Sequence, residues 1–359
     1  MTVVFAGGGT GGHLYPAIAI ADALRQRGAT VVFVGTQGRL ESSIVPRAGY
    51  TLYTIASQPL SRRPSTELFS SGARNALGII QSLRLLRRLQ PHMVIATGGY
   101  VCFPVAVAAR LLRGRGIARP RIVLLEPNAS PGLTARVLAP MADEIWGECG
   151  GFSDKARAKC RPTGVPVRYR RATLPAREEA AARLGFDAAM KTLLVIGGSQ
   201  GARSINDAVL GLAANSILPS WKILLVAGAT DCERVRERAG AIARLRIVAY
   251  LDDMADAYAV ADAIVARAGA STLAELRALA IPAVLVPYPH ATAAHQDENA
   301  LRFAAEGGAV VVNDRDLTAE RLAASIAELA EQGERSVAAD PLDLVLERID
   351  ALAREEKRP

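Results

Sequence analysis

The stretch from Thr2 to Ala21, TVVFAGGGTGGHLYPAIAIA, leaves a chain few folds to adopt. β-Branched and aromatic residues run into five glycines among positions 7–12, and these into a small, apolar run of helical character. The pattern predicts strand, loop, helix. Glycine lets such a loop turn tightly and lets backbone N–H groups approach a guest without a Cβ in the way, while the helix aims its positive end at the same point. A phosphate or an oxyanion is the expected guest. His13 falls where loop becomes helix, and Pro16 is expected in the first turn, where a missing N–H does no harm. The plan returns at Lys191 in KTLLVIGGSQGAR, so the chain reads as two similar α/β units in tandem, with a ligand expected between them.

Gly7, Gly9 and Gly12 spell G-x-G-x-x-G, a pattern shared with dinucleotide-binding folds. Such a fold also wants an acidic residue at the end of the second strand to hold the ribose, and the strand Thr30–Gly35 ends here in Thr36-Gln37. A nicotinamide or flavin cofactor is therefore not expected. A plain turn with no ligand would not need five glycines.

At 359 residues, half of them hydrophobic, the chain can fill two cores, and two domains are the natural division. The glycine and proline of Thr163-Gly-Val-Pro-Val-Arg168 mark a linker. This predicts domains at 1–163 and 164–340, followed by a C-terminal helix and tail at 341–359 that packs back towards the first. No apolar run reaches the ~18 residues that span a bilayer, and no basic segment followed by an apolar export signal opens the chain. A cytoplasmic protein is expected. The four cysteines, Cys102, Cys149, Cys160 and Cys232, are too scattered for a metal knuckle and too few for a disulfide scaffold, so they are expected reduced and mostly structural. Lys and Arg outnumber Asp and Glu by 43 to 35, an excess that suits phosphates, acidic lipid or nucleic acid. With aromatics at 5% and no interleaved basic and aromatic stripe, nucleic acid is the weakest of these.

Along the chain, Leu40 to Ala48 reads as helix, and Ala73 to Leu89 as an amphipathic helix. Its Leu77, Ile79, Ile80, Leu83 and Leu86 are expected to face the core, with Arg74, Arg84, Arg87 and Arg88 facing solvent. Its exposed end, with Arg62, Arg63, Arg110, Arg113 and Arg115, is a candidate patch for anionic lipid. In open α/β sheets ligands gather at the carboxyl ends of the strands. His13, Gly98, Gly99, Tyr100, Glu126 and Asn128 all fall at such ends. In the second unit Ser271 and Thr272 are expected to cap the helix after strand 263–266, with Glu275 in its first turn or just beyond. A carboxylate there serves either ribose hydroxyls or the helix end itself. The polar cluster His295, Gln296 and Asn299 follows the next strand and suits a sugar.

Taken together, Gly8-Gly-Thr-Gly-Gly-His13 with Pro16, Gly98-Gly-Tyr100, Glu126 with Asn128, Gly164 with Pro166-Val-Arg168, Gly197-Gly-Ser-Gln-Gly-Ala202, Asp252-Asp-Met254, Arg267 with Gly269-Ala270, Glu275, and His295-Gln296 with Asn299 resemble the MurG family over nearly the whole chain. Members move N-acetylglucosamine from UDP-N-acetylglucosamine (UDP-GlcNAc) to lipid I, giving lipid II in peptidoglycan synthesis. The resemblance implies a GT-B fold, two Rossmann-like doubly wound domains facing across a cleft, with the acceptor on the first and the UDP-sugar on the second. It implies that Ser199 and its glycine turn bond the donor diphosphate, that Arg168 lies near phosphate or uracil, and that Leu251 presents backbone groups to uracil. Ala270, Ser271, Thr272 and Glu275 would take phosphate and ribose, and His295, Gln296 and Asn299 the sugar. Thr10, Gly11, Gly12, Tyr100, Glu126 and Asn128 would line the acceptor side.

Inverting displacement needs a base for the C4 hydroxyl of the muramyl sugar. His13 is the candidate, since an imidazole titrates near neutrality, with orientation of the acceptor diphosphate as its other role and Glu126 as competitor. Helix N-termini and an arginine can stabilise departing UDP, so no metal or cofactor is expected. The implied partners are an anionic membrane surface, which places the protein at the cytoplasmic face of the membrane, and other cell-wall synthesis proteins. Leu125, Pro127 and Val165 depart from the family pattern. A related GT-B transferase that glycosylates a membrane diacylglycerol is the alternative.

Overall fold

The computed structural model describes residues 1–59, 66–114, 120–128, 130–198, 201–289, 295–331 and 339–355. They form two compact units, Met1–Arg168 with Ala339–Pro359, and Tyr169–Ala338. The first unit runs β1 (Thr2–Gly7), α1 (Gly11–Gln26), β2 (Thr30–Gly35), α2 (Glu41–Arg47), β3 (Thr51–Thr54), α3 (Thr66–Leu89), β4 (Met93–Gly98), α4 (Cys102–Gly114), β5 (Arg121–Glu126), α5 (Leu133–Leu138), β6 (Glu144–Gly147), α6 (Asp154–Arg157) and β7 (Cys160–Arg161). The second runs α7 (Arg177–Leu184), β8 (Lys191–Ile196), α8 (Arg203–Ala214), β9 (Trp221–Val226), α9 (Cys232–Ala239), β10 (Leu245–Val248), α10 (Ala255–Val260), β11 (Ala263–Ala266), α11 (Ala270–Leu279), β12 (Ala283–Leu285), α12 (His295–Ala305), β13 (Ala309–Val311) and α13 (Ala319–Glu331). The last helix, α14 (Pro341–Glu355), belongs to the first unit.

Every strand pair is parallel, in the orders β3-β2-β1-β4-β5-β6-β7 and β10-β9-β8-β11-β12-β13. Parallel strands need crossover helices, and those helices bury both faces of the sheet. Thus Val3 and Phe5 pack with Leu14, Ile20 and the α14 residues Leu342, Val345 and Ile349, while Val4 and Ala6 pack with Leu86, Val105 and Leu112 on the other side. In the second sheet Leu193 and Val195 face Ile205 and Leu322, and Leu194 faces Ala257 and Leu276. Each buried aliphatic side chain contributes about 2 kcal/mol. Strand order reverses between β1 and β4, and again between β8 and β11, and ligands of such sheets sit at that switch point.

Two expectations about helices change. Because α1 starts at Gly11, Pro16 lies in its second turn, where its missing N–H leaves the Gly12 carbonyl without the usual i→i−4 bond. On α3, Leu77 and Ile80 are 49% and 48% exposed, while Ser71, Asn75 and Ser82 are buried. The reason is the loop that α3 covers. Asn75 Oδ1 accepts from Ser57 Oγ (3.0 Å) and Gln58 N (3.1 Å), Gln81 accepts from Ala56 N (2.7 Å), and a Cβ at Gly78 would stand 2.0 Å from the Ala56 carbonyl oxygen. Satisfying buried backbone groups outweighs burying two more aliphatics.

Candidate active site

Two glycine turns of the first unit pack backbone to backbone. The Gly8 N–H donates to the Gly98 carbonyl (3.4 Å), and a Cβ on Gly99 would lie 2.7 Å from the Gly8 carbonyl oxygen. Gly98, at φ +119, faces the His13 ring, which a side chain there would strike at 2.4 Å. Thr10 is the N-cap of α1 without a side-chain cap, and no acidic residue occupies the first turn, so Gly11 and Gly12 present the helix's positive end. His13 Nδ1 lies 3.1 Å from the Gly8 carbonyl oxygen. A carbonyl only accepts, so Nδ1 carries a proton, and in the neutral ring the lone pair is on Nε2.

The histidine shares a cavity of about 210 Å3 with Gly98, Gly99, Glu126 and Asn128. Glu126 is buried, and its oxygens accept from Asn128 N (3.0 Å), Asn128 Nδ2 (2.8 Å) and Gly132 N (3.1 Å). It shapes the loop after β5. Cys102 lies beneath Gly98, and burial pushes its thiol up to about 12, which keeps it from acting as a nucleophile. Leu125 adds apolar carbon to the cavity wall, and Pro127 beside it is buried with no N–H to offer. Tyr100 follows the same glycine pair, and its carbonyl accepts from Ser57 Oγ (3.3 Å). Thr10, Gly11, Gly12, His13, Tyr100, Glu126 and Asn128 thus converge on one sheet edge.

The second unit is arranged differently. Gly269 is the N-cap of α11, so Ser271 and Thr272 fall inside its first turn and cap nothing by side chain. Glu275 is in the second turn, where its carboxylate accepts from the Tyr258 hydroxyl. Burial and that carboxylate hold the Tyr258 hydroxyl well above its ordinary range. Tyr258 packs edge-on to Tyr169 at 5.3 Å, and the Tyr169 hydroxyl accepts from Met254 N (2.9 Å). This chain of contacts ties the segment carrying Leu251 to α11. Gln296 accepts from Tyr288 N (2.9 Å), and Asn299 is buried on α12. Ser199 lies outside the described residues, as does the side chain of His295. Arg168 is exposed at the end of the first unit's main segment, and Val165 nearby is buried. A cavity of about 510 Å3 in this unit opens at the other edge of the sheet, beside Lys191 and Trp221, away from all of these donor candidates.

The glycosyltransferase family 28 N-terminal domain matches residues 3–146, and the family's C-terminal domain matches residues 192–343. The chain belongs to glycosyltransferase family 28. It is 40% identical over 350 residues to the "UDP-N-acetylglucosamine--N-acetylmuramyl-(pentapeptide) pyrophosphoryl-undecaprenol N-acetylglucosamine transferase" of Halothermothrix orenii, covering 93% of this chain and 92% of that one. The transferase of the same name from Chlorobium luteolum is 42% identical over 332 residues, with 88% and 87% covered. The crystal structure of Acinetobacter baumannii MurG matches at 26% identity with a TM-score of 0.68, over 92% of this chain and 90% of that one. The two doubly wound units are those of a GT-B glycosyltransferase.

One group of this family 28 enzyme, Glu41, escapes sequence reading, and another, Arg267, is named by the resemblance without its contacts. Glu41, 1% exposed, sends its carboxylate under the first glycine turn, where it accepts from Gly9 N (2.9 Å), Thr36 N (3.0 Å) and Thr36 Oγ1 (2.7 Å). Burial raises its pKa, but these hydrogen bonds outweigh that and hold it below the ordinary 4.5. Arg267, at the end of β11, reaches the Val286 carbonyl (3.2 Å), the Pro287 carbonyl (3.1 Å), Ser204 Oγ (3.1 Å) and Asp314. It joins the ends of β11 and β12 to the first turn of α8. A carboxylate beneath a glycine turn carries no periodic signal; only the glycines that make room for Glu41, at positions 8 and 35, hint at it.

Proposed function

We propose that this enzyme transfers N-acetylglucosamine from UDP-GlcNAc to the C4 hydroxyl of the muramyl sugar of lipid I, giving lipid II. The observation that carries the reading is the His13 imidazole, protonated at Nδ1 on the Gly8 carbonyl and bare at Nε2 over the switch-point cavity. Nε2 takes the proton of the C4 hydroxyl as its oxygen attacks the anomeric carbon, the bond to the UDP oxygen breaks, and the configuration inverts. The Gly8 carbonyl then faces an imidazolium and stabilises it. Glu126 positions the loop that carries Asn128. In the second unit the uncapped starts of α8 and α11 suit the departing diphosphate, and Glu275 suits the ribose. The test is transfer of labelled sugar from UDP-GlcNAc to a lipid I analogue, set against UDP-glucose with diacylglycerol. We expect product only in the first pairing, and UDP-GlcNAc should raise the Tm where NADH does not. Product only in the second would make the enzyme a diacylglycerol glycosyltransferase.

The acceptor is a lipid, and among the described residues no helix is long and apolar enough to cross a membrane. The exposed Leu77 and Ile80, in line with Arg84, Arg87 and Arg88 on α3, suit a helix resting on anionic lipid at the cytoplasmic face. Of the other expected patch residues, Arg110 is exposed on α4, but Arg113 is committed to Asp143 at 2.7 Å, and Arg62, Arg63 and Arg115 lie outside the described residues. Ile80→Glu with Arg84→Glu should reduce sedimentation with anionic vesicles about tenfold; unchanged sedimentation would remove α3 from the contact.

A further inference from the structure

A second cavity of the first unit, about 820 Å3, opens on the same sheet edge as His13, past the ends of β2 and β3 and beside Ser71, Arg74, Leu77 and Gln81 of α3. We propose that it is the subsite for the peptide of the acceptor, and that Arg39 and Arg74 hold a carboxylate of that peptide. The inference rests on the transfer reading above and adds to it what recognises the acceptor's peptide.

Three observations converge. The first is charge. Arg39 and Arg74 both line the cavity, no acidic side chain does, and neither arginine pairs with a carboxylate among the described residues. Exposed guanidiniums left unpaired beside a polar hollow are suited to an incoming anion, which a planar fork binds bidentately. The second is size. A hollow this large takes a ligand of many heavy atoms, beyond what a lone diphosphate fills. The amide side chains of Gln37 and Gln81 also border it, donors and acceptors of the kind a peptide backbone uses.

The third is position. A muramyl sugar carries its peptide on the lactyl ether at C3, next to the C4 hydroxyl that reacts, so the peptide must leave the sugar close to the base. Thr36 forms part of the cavity wall and shares the Glu41 carboxylate with Gly9 of the first glycine turn. Tyr100 forms another part and directly follows the pair Gly98-Gly99, of which Gly98 faces His13. The cavity is therefore linked to the first glycine turn through Glu41 and adjoins the Gly98-Gly99 turn through Tyr100.

The shared chemistry is an anion of the acceptor, and its two sources are the peptide carboxylate and the pyrophosphate. The experiment compares KM for three acceptors, one with the full pentapeptide, one with the peptide's terminal carboxylate amidated, and one with no peptide, in the wild-type enzyme and in Arg39→Gln/Arg74→Gln. We expect the wild type to prefer the full acceptor over the peptide-free one by about tenfold in KM, with the amidated acceptor in between, and the double variant to lose that preference. Wild-type KM values equal for all three acceptors would overturn the proposal. So would a variant that weakens all three by one factor, since that assigns the arginines to the pyrophosphate. Failure of the wild type to transfer N-acetylglucosamine to any acceptor would instead sink the underlying transfer reading. Both arginines are exposed, so the variant is expected to keep the wild-type Tm.

Discussion

The two glycine turns that open the two units share a glycine-rich sequence and differ in what stands around it. Counted from the ends of β1 and β8, residues 8–13 read GGTGGH and residues 197–202 read GGSQGA, so Ala202 stands where the first turn has His13, and Arg203 follows it. In the first turn the helix starts at Gly11, the ring of His13 is fixed by the Gly8 carbonyl, and the buried Glu41 accepts from the Gly9 amide. In the second the helix starts at Arg203, and among the described residues no carboxylate accepts from the turn's amides. Ser204, Arg267 and Asp314 knit its first helical turn to the neighbouring strands instead. One device therefore serves two chemistries. A turn whose amide is already occupied by a carboxylate and whose helix begins with a base is suited to a neutral hydroxyl that must lose a proton. A turn flanked by the fixed cation of Arg267, with no carboxylate on its amides among the described residues, is suited to a diphosphate.

The sharpest way to break this comparison is to damage each side and read both functions. His13→Ala should lower kcat by about 10²–10⁴-fold, the usual worth of a positioned base, while leaving the Tm rise produced by UDP-GlcNAc intact. Glu275→Ala should do the reverse, raising KM for UDP-GlcNAc about tenfold or more by removing a charged hydrogen-bond acceptor. If His13→Ala abolished the nucleotide response as well, the division of labour between the turns would be wrong.

The comparison also explains what the sequence allows a reader to see. The central strands are legible because burial on both faces forces near-continuous apolar runs, as in VVF at positions 3–5 and LLV at positions 193–195. The glycine turns are legible because close backbone approach admits no other residue, and His13, Glu126 and Asn128 follow from their places at strand ends. The edge strands β3 and β7, four residues and two, are too short to show a pattern. The face of α3 is misread because Asn75 and Gln81 turn inward to satisfy the loop at 56–58, which no periodicity of α3 encodes. Ser271 and Thr272 look like caps by residue type, but Gly269 begins the helix two positions sooner. Glu41 stands 32 residues from the amide it holds, and such a partner is visible only once the sheet has brought β1 and β2 together.

Glu41 gives the smallest but most discriminating test, because it asks whether the first turn is braced by charge or only by packing. In Glu41→Gln the side chain keeps its shape, but one oxygen becomes an NH2, which cannot accept from the Gly9 or Thr36 amides. Leaving a buried donor unmet costs about 1–3 kcal/mol at neutral pH. The pH dependence follows from the direction of the shift. The carboxyl is held below its ordinary 4.5 in the folded state, so the stability it supplies is complete above that value and is lost as pH falls through the folded pKa. Urea unfolding of the wild type and of Glu41→Gln should therefore show a constant gap from pH 7 down to about 5, and a gap that narrows below 4.5 as the wild-type carboxylate protonates. Turnover should fall with the variant while the nucleotide-induced rise in Tm is kept, since in the proposed mechanism the turn it loosens carries the base and not the donor diphosphate. A gap that stayed the same width under acid would mean that Glu41 fills space beneath the turn without bracing it electrostatically. The contrast with the second turn would then rest on His13, which Ala202 replaces there, and on Arg267.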